Sequence, residues 1–263
     1  MLHVTTETVA PTRRERARAA TIAEIKATAL HLMHSTGTTD LRFSDIAREM
    51  GMTAPALYRY FADSDELLTE LIVDAYDDLG ATVAAARAKV ADDDLWGRLL
   101  AVAQSYRGWA SSEPQRFALI LGMPVPGFCA DQEAPSTEAA KRAMGQLQTH
   151  FIDVARRGRL SPPLITDVDD AFVAGLVEAH GDDNLMPEAG DGLAADDPAV
   201  QAALAPATFQ AMLTLWASLH GFTSLEAHGH LDWLTPAARD ALFLTGVRLA
   251  ARSAGLPGPP EDG

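Results

Sequence analysis

Residues 43–61 read Phe-Ser-Asp-Ile-Ala-Arg-Glu-Met-Gly-Met-Thr-Ala-Pro-Ala-Leu-Tyr-Arg-Tyr-Phe. Ile46, Ala47 and Met50 recur at helical spacing and give a short helix one apolar face. Gly51 follows, where a residue without Cβ most easily takes the left-handed turn that stops a helix. Thr53 is placed to cap a second helix through its hydroxyl. Pro55 falls in that helix's first turn, where a missing N–H is harmless. Leu57 and Phe61 form an inward pair at i, i+4, which leaves Ala54, Ala56, Arg59 and Tyr60 outward with Tyr58 beside them. Two helices too short to stand alone, set at a large angle by a compact corner, make a helix-turn-helix, whose second helix enters a DNA major groove. Small Ala54 and Ala56 let that helix approach base edges. Thr53, Tyr58 and Tyr60 offer hydroxyls to phosphates and Arg59 a fork of donors. The competing reading is a plain helical corner in an all-α protein.

The flanks decide between the two. Ala62-Asp-Ser-Asp-Glu-Leu-Leu68 follows, and Ile25-Lys-Ala-Thr-Ala-Leu-His-Leu-Met-His-Ser-Thr-Gly37 precedes. With Ile46-Ala47, Gly51, Leu57-Tyr58, Phe61 and Glu66-Leu67, this spacing over residues 21–78 resembles the tetracycline-repressor (TetR) family of one-component regulators. The resemblance implies a DNA face made of Arg42, Ser44, Thr53, Ala54, Pro55, Ala56, Tyr58, Arg59, Tyr60 and Ser64. Two positions depart from the family pattern: Ser64 stands where the family usually has Lys, and Tyr60 where it usually has His.

Length and composition bound the rest. A chain of 263 residues with 48% apolar content can bury a large core or two modest ones. No apolar run approaches a membrane span, and no basic-then-apolar leader is evident, so a cytoplasmic, nucleoid-associated protein without membrane contact is expected. The single cysteine, Cys129, rules out an intramolecular disulfide framework. Net charge is −15, yet residues 1–65 balance eight Lys/Arg against eight Asp/Glu. The acidity belongs to the remainder, so a duplex repels the body and orients the neutral end toward itself.

Along the chain, residues 1–11 lack periodicity and read as disordered, as do 256–263. Arg13, Arg14, Arg16 and Arg18 make a basic stretch, either an arm for phosphates or a solvated helical turn. Thr12 with Glu15, or Thr21 with Glu24, fits a capping box for the first helix, and Asp63 with Glu66 fits one for the fourth. That fourth helix continues to about Lys89, a rod of roughly 37 Å. The expected architecture is therefore all-α. An N-terminal three-helix helix-turn-helix domain, 12–65, shares a long helix with a C-terminal helical effector-binding and dimerisation domain, 66–255. Further helices are expected from about Asp94 to Ser112, about Ser136 to Gly158 and from near Thr166. A mobile acidic loop spans 181–198, and two last helices span about 205–229 and 236–254. The first of these two places Phe209, Met212, Leu213, Trp216, Leu219, His220 and Thr223 on one stripe, with Leu215, Phe222 and Leu225 elsewhere. The second carries Ala241, Leu242, Thr245 and Leu249, with small Ala238, Gly246 and Ala250. Apolar residues on more than one face fit a homodimer about a two-fold axis through these two helices. Trp216…His220-Gly221 resembles the signature of the WHG-type subgroup of the family.

An effector pocket for a small hydrophobic ligand is expected among Trp109, Phe117, Met123, Phe128, Phe151, Phe172, Leu176, Met212 and Trp216. Each of these can equally be plain core. Glu178, His180, Asp182, Asp183, His220, His228 and His230 do not make a known metal spacing, and His220 reads as a hydrogen-bonded core histidine. No nucleophile elbow, Walker loop or dinucleotide fingerprint occurs, so neither metal, cofactor nor enzyme is expected. The functional expectation is a DNA-binding regulator, a repressor of a near-palindromic operator on double-stranded DNA. Its rival is a helical ligand-sequestering protein with impaired DNA contacts.

Overall fold

The computed structural model describes residues 12–37, 41–122, 134–180 and 197–259. The expectations for 1–11 and 181–196, and those for Met123 and Phe128, lie outside these residues. Every regular element among the described residues is an α-helix: α1 Arg13–Thr36, α2 Phe43–Glu49, α3 Ala54–Leu57, α4 Ser64–Ala88, α5 Leu95–Ser112, α6 Pro114–Leu121, α7 Pro135–Arg156, α8 Asp170–His180, α9 Pro198–Leu204, α10 Pro206–Ala227 and α11 Pro236–Ser253. Two compact units arise, divided between Ile72 and Val73 inside α4. No single helix among the described residues is long and apolar enough to cross a membrane.

In the N-terminal unit, Ile25, Ala29, Ile46, Leu57, Phe61 and Leu67 are fully buried. Burying side chains of this size contributes roughly 1.5–3 kcal/mol each, Ala29 less. Of the two candidate starts, α1 takes Thr12, whose hydroxyl and backbone exchange hydrogen bonds with Glu15. The four arginines that follow therefore stand on helical turns, all exposed. Gly51 adopts φ 65°, the left-handed stop expected of it. Thr53 holds the N-cap position of α3 in extended conformation, but its hydroxyl makes no cap bond, which corrects that expectation. The second helix is also shorter than expected. Its extension collapses because the N–H groups of Tyr60 and Phe61 both turn onto the Leu57 carbonyl, at 2.8 and 3.2 Å. At the start of α4, Asp63 accepts from the Glu66 N–H at 2.8 Å, while Glu66 reaches back to the N–H of Ala62 instead of Asp63.

In the C-terminal unit one core joins Leu95 and Leu99 of α5, Phe151 and Ile152 of α7, Val200 of α9, Leu215 of α10, and Phe243 and Val247 of α11. A second joins Leu79 and Val83 of α4 to Val102, Tyr106, Trp109, Phe117 and Ala143. Four expectations are corrected here. α8 starts at Asp170, not near Thr166, with the Asp169 carboxylate accepting from the Ala171 N–H at 2.8 Å. Residues 198–204, assigned in part to a loop, are helical, because Asp197 caps the Ala199 N–H and Pro198 starts the turn. On α10 the buried stripe is Thr208, Met212, Leu215, Leu219 and Thr223, with Leu213 exposed; on α11 it is Phe243, Val247 and Ala251. Leu242, Thr245 and Leu249 of α11 thus face away from this core. Finally, the tail expected to be disordered from 256 begins with a buried residue, Leu256. Gly255 turns at φ 76°, its carbonyl accepts from the Ser161 N–H at 2.9 Å, and the Leu164 N–H donates to Ser253 at 2.8 Å. A Cβ at position 255 would stand 2.0 Å from the Ser161 carbonyl oxygen, so this seam needs glycine.

Candidate nucleic-acid interface

The buried pair Leu57 and Phe61 fixes the segment between them, and the residues of opposite character are turned out. Tyr58 is 60% exposed, and Arg59, Thr53 and Pro55 are exposed as well. Ala54, Ala56, Tyr60 and Ser64 are half-buried. Arg42 holds the N-cap of α2, with Ser44 exposed in its first turn. All ten residues expected to face DNA belong to the one N-terminal unit.

Two contacts order the aromatic pair. The Tyr58 ring packs on Phe43, centroid to centroid 5.0 Å at 58°. The Arg18 guanidinium stands 5.3 Å over the Tyr60 ring. Phe43 was not among the expected site residues and Arg18 was expected only as part of a basic arm; no spacing rule connects positions 15 and 42 apart across separate helices. The surface is suited to phosphates: cations on α1, at Arg42 and at Arg59, with hydroxyls from both tyrosines.

In the C-terminal unit the expected ligand residues fall into separate groups. Trp109 and Phe117 lie in one core cluster. Phe151 and Met212 lie in the other, with Trp216 packed against it. On α8, Phe172 is half-buried and Leu176 buried. His220 bridges the first two groups. Its Nδ1 is 2.9 Å from the Tyr106 hydroxyl, and its ring stacks on Trp216 at 5.4 Å and stands 5.9 Å from Phe117. Desolvation lowers the His220 pKa. Desolvation, then Tyr76, raises that of Tyr106, so this interior favours neutral groups. Trp109 Nε1 and Arg116 both donate to Asp78, at 2.8 and 2.9 Å. A cleft of about 580 Å³ opens elsewhere, between α5, α10 and α11, and Arg107, Glu226 and Phe243 are in its wall. Among the described residues, none of those expected to bind ligand lines it.

Similarity to known proteins agrees with this geometry. Residues 99–250 match the tetracycline repressor-like C-terminal domain, and residues 25–71 match the bacterial regulatory proteins of the tetR family. The chain belongs to the tetracycline-repressor family. It is 35% identical to SCO4313, described as a regulatory protein, over 91% of this chain and 98% of that one, with a TM-score of 0.64. A Rhodococcus sp. RHA1 protein of unknown function shares the fold at 19% identity and a TM-score of 0.55, covering 91% of this chain and 97% of that one. The HTH-type transcriptional regulator Rv1816 of Mycobacterium tuberculosis is 43% identical over 105 residues, 40% of this chain and 45% of that regulator. The match thus spans less than half the length of such curated relatives. Rv0681 of the same species, an uncharacterized HTH-type transcriptional regulator, is 25% identical over 85% of this chain and 77% of its own length. The matched families and named relatives are regulators, not enzymes.

Proposed function

We propose that this TetR-family chain is a homodimeric, one-component transcriptional repressor that leaves its operator when a small hydrophobic ligand occupies its C-terminal unit. What supports the reading most is the outward presentation of Tyr58 and Arg59 between the buried anchors Leu57 and Phe61. Residues 12–65 act as the reading head and 66–255 as the effector and dimer domain. Each head lays Thr53 to Tyr60 along a major groove, and Arg42, Ser44 and Ser64 meet the backbone. Two-fold symmetry then asks for inverted half-sites about one helical turn, ~34 Å, apart. Exposed Leu213 and Leu225 of α10 and Leu242 and Leu249 of α11 supply the apolar face for the second copy. Within the family, the Trp216…His220-Gly221 run supports a WHG-type C-terminal domain. The ligand enters among the aromatic side chains around His220, and it must favour the DNA-incompetent state, since equal binding to both states shifts nothing.

Selection from a random duplex pool tests the reading. Enrichment of one sequence with two inverted half-sites is expected. Arg59→Ala should weaken binding to it about tenfold with an unchanged melting temperature. A pool that emerges unenriched would end this account, and so would an Arg59→Ala protein that binds as tightly as the parent.

A further inference from the structure

Three polar side chains of the C-terminal unit meet in its interior with hydrogen-bonding groups unmet. Arg87 comes from the last turn of α4, Arg98 from the first turn of α5 and His150 from α7. His150 is fully buried, and neither ring nitrogen has a partner; Arg87 Nη1 and Arg98 Nε are buried and unpartnered too. Asp153, one turn along α7 from His150, is shared between the arginines at 3.8 Å from Arg87 and 3.7 Å from Arg98. Both separations exceed a hydrogen bond, so this carboxylate satisfies neither donor. Asp92 pairs with Arg98 from the exposed side. Arg157 donates to the Asp153 carbonyl at 3.1 Å. Asp92 and Arg157 are exposed to solvent, so in the interior two guanidinium groups face the single carboxylate of Asp153, leaving one positive charge over.

Hydrogen-bond arithmetic gives the same answer. Burial, then Arg87, Arg98 and Arg157, pushes His150 down to about 3, so its ring is neutral and offers one N–H and one lone pair. The unmet groups are then three kinds of donor, on Arg87, Arg98 and His150, against a single ring lone pair. Buried donors in native proteins are almost always matched. Water brings as many hydrogens as lone pairs and would meet donors at the expense of its own. A guest that only accepts and carries one negative charge fits both counts.

From this cluster we infer that Arg87, Arg98 and His150 form a site for a small monovalent anion of halide size. A doubly charged oxyanion is disfavoured by the single surplus charge. The anion fastens the end of α4 to α5 and α7, three elements that otherwise meet here through stretched ion pairs.

Bromide is the probe. The full-length wild-type protein is crystallised in 100 mM sodium bromide and data are collected at the bromine edge. An anomalous peak within reach of Arg98 Nε, Arg87 Nη1 and the His150 ring is expected. In parallel, melting temperature is measured in sodium chloride, bromide and gluconate at equal ionic strength. A saturable halide-dependent rise of about 3–6 °C is expected, absent in gluconate and abolished in Arg98→Met. The inference is overturned by a water or no density at the site, by a peak seen only at molar bromide (an adventitious ion only), or by equal melting temperatures in the three salts. The wild-type measurements decide the matter even if Arg98→Met does not fold.

Discussion

The guanidinium of Arg18 and the ring of Tyr60 are stacked at 5.3 Å, joining the second turn of α1 to the last outward residue of the helix-turn-helix. An exposed contact of this kind contributes about 0.5–1 kcal/mol. Its larger effect is to hold a cation and a phenol side by side, both able to meet one phosphate. Arg18→Ala should weaken operator binding three- to tenfold and lower the slope of log affinity on log salt by about one per subunit. Tyr60→Phe should keep the stack and lose less. Anisotropy titrations at several salt concentrations check this.

Charge balance sets the total slope. Residues 1–65 carry eight Lys/Arg and eight Asp/Glu, so few phosphates can be neutralised. A slope corresponding to fewer than ten phosphates per dimer is expected. A steeper line in the same titrations would contradict it.

The apolar face of α11 gives a separable test. Leu249 is 67% exposed, whereas Phe243 and Val247 on the other side are buried. Leu249→Glu should leave secondary structure and the subunit core intact yet yield monomers by sedimentation velocity, with operator affinity lost in step.

Arg107 clamps α5 to α10 and α11. Its fork donates twice to Glu226 at 2.5 Å and once to Asp240 at 2.8 Å, and it lies over Phe222 and Phe243. The hydrogen bonds to Glu226, more than the one to Asp240, raise its pKa. Arg107→Ala should cost about 2 kcal/mol in urea unfolding, below the range for a fully buried pair because the site is part-exposed. Arg107→Lys should recover only part, since an ammonium lacks the planar fork that meets both Glu226 oxygens.

His150 makes stability depend on pH with a definite sign. Its value in the folded protein, about 3, lies below the ordinary 6.5, so the unfolded chain takes up the proton first as pH falls. Stability from this group is intact above 6.5 and declines toward 3 at about 1.4 kcal/mol per pH unit, reaching a loss of about 2 kcal/mol at pH 5. Urea titrations in halide-free buffer at pH 7.5, 6 and 5 should show this decline, flattened in His150→Gln.

What the sequence disclosed follows from the range of the interactions involved. The corner around Gly51 and the anchors Leu57 and Phe61 obey local rules and were legible. So was the outward turn of Tyr58 and Arg59 between those anchors. The α11 stripe was not, because Leu242 and Phe243 are adjacent and both apolar. Periodicity reports that two faces exist, not which one meets its own core. α9 hid behind an acidic, glycine-rich run, although Asp197-Pro198 is itself a start signal. The Gly255–Ser161 seam, the Arg18–Tyr60 stack and the Arg87–Arg98–His150 cluster join positions that only the folded chain brings near.

The division between the two units falls inside α4, with no loop at Ile72–Val73. Each residue of such a helix advances 1.5 Å and turns 100°. A single residue added or removed between Val73 and Arg87 would therefore swing one end of the rod by more than a quarter of a circle, although hardly any distance changed. Seven residues nearly restore the azimuth. A change of length there would turn Leu79 and Val83 off the core they share with Val102 and Phe117, so what this part of α4 must keep is phase.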